Sequence, residues 1–376
     1  MKSLKEVVVF SPGGDPREIK TWSNVPYFLV HTLESKNIKV HTVDIGPQSF
    51  FHKAFKKTFN TVVKLLFKDT FYDYTRTPLY YQIMRYKIKK SLKAFENADA
   101  LIFTTFGVSA IGLTAIPSIL FCDWTMDHHI NYYFNREPDK YETATIVREN
   151  NTIEQASGVF VLFPAVAKIM QHKYDNPNIF YNGNVINSAL VPDAAIIQSK
   201  EKETNLLFVG KQTYKQGAVE LLKAFNKLKI KIPGLRLDII GLNAADFDDL
   251  PKDVICHGYL DKGIESDAKK YYELLSKAKV FINTTPKWGA FSASLEAMYF
   301  YTPLIITAYT EFVTTFGETI DFGIYHSPDA SLIDSISEIL NADKYEDLCL
   351  NAHHAAREFT WDKYVDNMVN TTSQLL

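Results

Sequence analysis

Only three cysteines occur in 376 residues, Cys122, Cys256 and Cys349, and they lie far apart. An odd, scattered set gives neither a disulfide framework nor a metal spacing, which fits a reducing compartment. Long apolar runs are missing too: no segment approaches the roughly 20 residues that a spanning helix needs. The opening MKSLKEVVVFSPGG holds only four consecutive apolar residues before Ser and Pro. That is short for a signal peptide and reads as a first core strand, so a cytoplasmic protein is expected. Neither sign of charge is in excess, with 41 Lys and Arg against 43 Asp and Glu. The chain as a whole is therefore not a polyanion binder, and no nucleic-acid partner is expected.

What the chain does contain is rhythm. Short β-branched runs alternate with helical patterns: EVVVFSP (6–12), KVHTVDI (39–45), ALIFTTF (100–106), SILFCDW (118–124) and GVFVLF (158–163). Near-continuous apolar strands of this kind are buried on both faces, as in parallel sheets. A polar, charged stretch interrupts the pattern, which restarts at NLLFVG (205–210) and continues through RLDIIG, VICHGY, KVFINTT and PLIIT. The expectation is an α/β protein of two doubly wound, Rossmann-like domains. Residues 1–190 would form the first, 191–204 a linker, 205–355 the second, and 356–376 C-terminal helices packing back on the first.

Several stretches could carry chemistry. In FVGKQTYKQGAVELL (208–222) a strand ends at Gly210, Lys211 and Lys215 follow, and Gly217 opens a helix. Open α/β sheets bind ligands at the carboxyl ends of their strands, and helix N-termini attract phosphate. In TTPKWGAFSASLEAMYFYTPLIIT (284–307), Ser292 and Ser294 are candidate helix caps. Glu296 is a lone carboxylate among apolar neighbours, able to accept two hydrogen bonds from a vicinal diol such as a ribose. DFDD (246–249) resembles a metal-binding DxD pair but reads as a solvated surface loop before Pro251.

In the first half, FCDWTMDHHINYYF (121–134) runs from a buried strand into Asp123, Asp127, His128 and His129. Adjacent histidines lack the spacing of three or four that a helical metal pair needs. Gly13 and Gly14 follow the first strand and allow close backbone approach, making that loop a candidate for acceptor or phosphate contact. Residues 50–94 carry eleven Lys and Arg against two Asp, with aromatics throughout. Such a face suits an anionic membrane surface or a lipid-linked acceptor.

Taken in order, FVGK…KQG…LLKAF, LDIIG, VICHGYL, LLSKAKVFINTT, WGAFSASLEAMYFYTPLIIT, DFGIYHSPDA and FTWDKY resemble glycosyltransferase family 4, of the GT-B fold, across residues 205–365. What the resemblance implies is a retaining, metal-independent transferase that needs no cofactor and takes a UDP-, GDP- or dTDP-sugar as donor. The acceptor would be a glycan or a lipid-linked molecule. Donor contacts would come from Gly210, Lys211, Lys215, Trp288, Gly289, Phe291, Ser292, Ala293 and Glu296, with Glu296 on the ribose. Asp123, Asp127 or His128 would orient the sugar or accept the acceptor's proton, and Gly13 and Gly14 would lie on the acceptor side. The family's pattern has a second Glu eight residues before Glu296, where this chain has Trp288. Two alternatives stay open: a non-catalytic nucleotide-binding partner subunit, which that departure would mark, or a GT-B-shaped sugar-nucleotide epimerase or hydrolase.

Overall fold

A computed structural model describes residues 3–67, 70–287 and 291–376. The chain divides into two compact units, one of residues 1–184 and 361–376, the other of residues 185–360.

The first unit is built on six parallel strands, β1 (Glu6–Ser11), β2 (Lys39–Asp44), β3 (Ala100–Phe103), β4 (Ser118–Cys122), β5 (Gly158–Val161) and β6 (Ile179–Tyr181). Their order in the sheet is β2-β1-β3-β4-β5-β6, with Val7 to Phe10 of β1 opposite Ala100 to Phe103 of β3. Those four β1 residues have no solvent exposure, as expected of a strand covered on both faces. The covering helices are α1 (Val25–Ser35), α2 (Phe50–Leu66), α3 (Pro78–Leu92), α4 (Met126–Phe134), α5 (Lys140–Glu154) and α6 (Pro164–Lys173). Local sequence sets their starts. Asp139 and Glu142 form a capping box on α5, and Thr77 caps α3 ahead of Pro78.

The second unit repeats the plan with β7 (Asn205–Val209), β8 (Arg236–Ile240), β9 (Val254–Gly258), β10 (Val280–Asn283), β11 (Leu304–Thr307) and β12 (Gly323–His326). Here the order is β12-β11-β10-β7-β8-β9, again all parallel. Its helices are α7 (Ile196–Glu201), α8 (Lys215–Leu228), α9 (Glu265–Lys277), α10 (Ser292–Tyr299), α11 (Thr310–Phe316), α12 (Leu332–Leu340) and α13 (Tyr345–Ala356). On α8 the buried residues Ala218, Leu221, Leu222, Phe225 and Leu228 form one stripe against the sheet. The stretch 191–204 contains α7, whose Ile197 joins the core of this unit. Beside it the fully buried Lys200 ammonium donates to the carbonyls of Leu275 and Ala278 and to the Thr302 hydroxyl.

The last helix, α14 (Trp361–Leu375), belongs to the first unit. Trp361 lies edge-on to Phe121, Tyr364 sits 5.7 Å from the same ring, and Lys36 pairs with Asp366 at 2.7 Å.

Candidate functional site

In the second unit the chain leaves β7 for β8 and β9 on one side, and adds β10, β11 and β12 on the other. The topological switch point therefore lies between β7 and β10, where an open α/β sheet forms its ligand crevice. Gly210 and Lys211 follow β7 there, and Thr284 and Thr285 follow β10. Asn283 ties the two strand ends together: its amide donates to the Val209 carbonyl at 3.4 Å, and its oxygen accepts from the Thr285 hydroxyl at 2.6 Å.

Gly217 does not open its helix, which begins at Lys215 after a 3-10 turn over Gln212–Tyr214. The glycine instead lets the first turn of α8 press onto the strand ends. A Cβ at this position would lie 2.5 Å from Thr285 Oγ1 and 3.0 Å from Thr285 N. Lys211 is exposed, its ammonium 4.9 Å from the centre of the Tyr259 ring. Lys215 is the first residue of α8, at the positive end of the helix dipole. Asp246 of the DFDD stretch is occupied locally: it accepts from the Asn243 N–H at 2.6 Å and from the Gln212 amide.

The α10 helix differs from expectation in three ways. Its N-cap is Phe291, without a side-chain cap, so neither Ser292 nor Ser294 caps it. Ser294 is inside the helix, with a buried hydroxyl that has no hydrogen-bond partner among the described residues. Glu296 is only 3% exposed and is not a free carboxylate. Lys262 donates to its Oε2 at 2.7 Å, and the same ammonium donates to the Asn187 carbonyl at 2.8 Å. The Tyr271 hydroxyl shares the carboxylate; burial, then the Glu296 charge, raises that phenol well above its ordinary range. Sequence reasoning missed Lys262 and Tyr271, which carry no local motif. Ala293 and Phe291 lie on and beside this helix, while Trp288 and Gly289 lie outside the described residues.

In the first unit the switch point falls between β1 and β3. Gly13 and Gly14 leave β1 at that place. Gly13 has open space where a side chain would stand, and Gly14 (φ +137°) turns the loop back onto Thr21. Trp22, Ser23 and Asn24 then follow with positive φ of 37°, 54° and 73°.

Asp123 lies two strands away, just past the end of β4. Its Oδ1 accepts from the Trp124 N–H at 2.8 Å, and burial raises its carboxyl above the usual range. Asp127 stands in the first turn of α4. Burial pushes its pKa up, but Lys173, the Thr125 hydroxyl and the His128 N–H together hold it below the ordinary value. The His128 ring stacks on Trp124 at 4.8 Å, and burial lowers its pKa. His129 stacks on Phe71 instead, and burial, aided by the Arg76 charge, lowers it to about 4. Asp127 and His128 are thus brought together at the start of α4, with Asp127 already ion-paired. Sequence reasoning also missed Glu149, whose carboxylate accepts from the Met126 N–H at 2.7 Å and is pushed up to about 7 by burial. Among the described residues no group of three or more His, Cys, Asp or Glu is arranged to hold a metal ion.

Two doubly wound parallel units of this kind define the GT-B class of fold. Within it, residues 193–358 match the model of the family described as Glycosyl transferases group 1. Comparison with curated proteins gives no match. Solved structures share the fold at low identity. A mutant of S. aureus TarM, in complex with fondaparinux, alpha-GlcNAc-glycerol and UDP, superposes with a TM-score of 0.57 at 15% identity. That alignment covers 77% of this chain and 59% of TarM, so this chain spans less than two thirds of that protein. Sucrose-phosphate synthase from Thermosynechococcus elongatus gives a TM-score of 0.67 at 15% identity over 99% of both chains. Anabaena HepE, in complex with UDP and glucose, gives 0.62 at 12% identity over 98% of this chain and 99% of that one.

Proposed function

We propose that this protein is a glycosyltransferase of the hexosyltransferase type, moving a sugar from a nucleoside-diphosphate sugar to a glycan or lipid-linked acceptor. The observation that carries the reading is the switch point of the second unit, built inside the matched family span. It combines a strand-terminal Gly210, two basic residues and a helix start pressed close by Gly217, and the helix that follows β10 carries Glu296. A carboxylate has about four lone-pair sites. Lys262 and Tyr271 engage Glu296 from the protein side, and in this reading its remaining sites meet the ribose diol when the donor binds.

In this reading the donor diphosphate meets Lys211, Lys215 and the first N–H groups of α8. These groups stabilise charge on the departing nucleoside diphosphate, which is where electrostatic catalysis acts in such a transfer. Binding both substrates in one orientation supplies the rest. Transfer proceeds with retention and without a metal ion or other cofactor. The acceptor belongs to the first unit, near Gly13 and Gly14, and Asp123 or His128 orients the sugar or takes the acceptor's proton. Asp127 holds the start of α4 through Lys173. A role in polysaccharide or glycoconjugate synthesis at the inner face of a membrane agrees with the basic, aromatic stretch 50–94. Among the described residues no helix is long and apolar enough to cross a membrane.

UDP is the first donor nucleotide to test, since TarM and HepE were both solved with it. Calorimetry with UDP, GDP and dTDP, followed by turnover of the matching sugar nucleotides, tests the reading. Release of nucleoside diphosphate only when an acceptor is present supports transfer. Trp288 in place of a carboxylate favours one second reading, a nucleotide-binding partner subunit. Tight nucleotide binding with no turnover on any acceptor would establish it.

A further inference from the structure

The helix α2 is amphipathic twice over. Along its inner line, His52, Phe59, Asn60 and Val63 face the segment 72–74. His52 Nδ1 is 2.9 Å from the Tyr74 hydroxyl, Asn60 Oδ1 accepts from the Tyr74 N–H at 2.9 Å, and Phe59 packs beside Tyr72 and Tyr74. Val63 is the only residue of the helix that is buried. This inner line is enough to seat the helix.

A second, largely apolar line has no counterpart among the described residues. Phe51, Ala54, Thr58, Val62 and Leu65 recur at spacings of three and four, so they share one face of a helix about 25 Å long. Phe51 is 82% exposed and Leu65 77%, while Phe50 and Leu66 at the two ends are 79% and 69% exposed. Single exposed apolar side chains are ordinary, but a continuous stripe of them on one helix marks an interaction surface. Helical periodicity sets Lys53, Lys57 and Lys64 along one flank of the stripe, and no acidic residue occurs between 50 and 67.

We infer that α2 is a membrane-docking element, lying in the plane of an anionic bilayer with this outer stripe in the headgroup and acyl boundary. The charge pattern selects this occupant. A second copy of the chain would have to bury the lysine row against an identical lysine row, whereas anionic lipid neutralises it at about 1 kcal/mol per Lys. Long lysine side chains also reach from a buried apolar stripe to the phosphate level, which is how interfacial helices keep charge and insertion together. The inference deepens the proposed function by placing a lipid-linked acceptor and this unit on the same surface, but its test uses neither donor nor acceptor.

The experiment is co-sedimentation of the full chain with vesicles of 70% phosphatidylcholine and 30% phosphatidylglycerol, at low and at physiological salt. Three proteins are compared: the wild type, Phe51→Ser/Val62→Ser/Leu65→Ser, and Lys53→Glu/Lys57→Glu/Lys64→Glu. Both triple variants alter exposed side chains, so their thermal midpoints should match the wild type. Expected is binding of the wild type to anionic vesicles, with a loss of roughly tenfold or more in each variant. The serine variant should lose binding even at low salt. Wild type that stays in the supernatant at low salt overturns the inference. So does a serine variant that binds as well as the wild type, or a concentration-dependent dimer that the serine substitutions abolish. Nucleotide calorimetry on the same proteins reads the donor site independently, so failure here and failure of the transferase reading are distinguishable.

Discussion

The Lys262 ammonium lies 2.7 Å from Oε2 of Glu296, across 34 residues of sequence, and both side chains are almost wholly buried. The carboxylate of α10 is therefore built into the second unit before any ligand arrives. Its role in the fold and its role toward a ribose can be separated by experiment.

Lys262→Met leaves a buried carboxylate without its cation and should destabilise the protein by about 3–5 kcal/mol. Adding Glu296→Gln to that variant removes the orphaned charge and should recover most of the loss in urea unfolding. If Glu296 binds ribose, the double variant will be folded yet show no thermal stabilisation by nucleotide. Undiminished stabilisation would remove Glu296 from the site.

Gly217→Ala opposes two effects. Helix propensity alone would favour Ala by about 1 kcal/mol. The new Cβ, however, would stand 2.5 Å from Thr285 Oγ1 and 3.0 Å from backbone. The clash wins, and a net destabilisation of about 1–3 kcal/mol is expected. Thr285→Ala in the same background should restore part of it, because it removes the nearer contact and leaves the backbone one. Differential scanning calorimetry of the three proteins would decide.

Lys211→Ala and Lys215→Ala should each weaken nucleoside-diphosphate binding by about tenfold while leaving nucleoside binding nearly unchanged, since only the diphosphate meets their charge. Equal losses for both ligands, measured by calorimetry, would place the lysines elsewhere.

Two groups of the first unit titrate with opposite consequences. Glu149 is raised from 4.5 to about 7 when folded, by burial above all. The folded state then holds the extra proton, so this stabilisation is complete below pH 4.5 and is lost as pH rises through 7. His129 is lowered from 6.5 to about 4, again chiefly by burial. Its contribution is present above pH 6.5 and is lost as pH falls through 4. In the wild type the two slopes largely cancel between pH 4.5 and 6.5. Glu149→Gln should leave stability rising with pH across that window, and His129→Phe should leave it falling, each by roughly 1–3 kcal/mol. Flat profiles in both variants would show that neither group is perturbed.

How far these features could be read from sequence followed from range. Strands such as β1 and β7 were legible because burial on both faces writes itself as consecutive Val, Leu and Phe. The edge strands β6 and β12 were not: β6 has only three residues, two of them half-exposed, β12 has four half-exposed residues, and each pairs with one neighbour. Lys211 and Glu296 stand out in the sequence by their surroundings, but the pair of Glu296 with Lys262 does not, because no local pattern marks a contact so distant in the chain. The caps expected of Ser292 and Ser294 failed because the helix starts one residue earlier than a Ser292 cap requires, with Phe291 at the N-cap. Trp288 and Gly289 lie outside the described residues, so the sequence remains the only account of them.

The position of α14 has a temporal consequence. The second unit is one uninterrupted segment and can fold as soon as it clears the ribosome. The first unit cannot be finished then, because Phe121 awaits Trp361 and Tyr364, and Gly158 awaits Leu375, all of them made after the whole second unit. During synthesis the earlier half thus carries an open apolar face longest, and a stop codon at 361 would yield a sound second unit attached to an incomplete first.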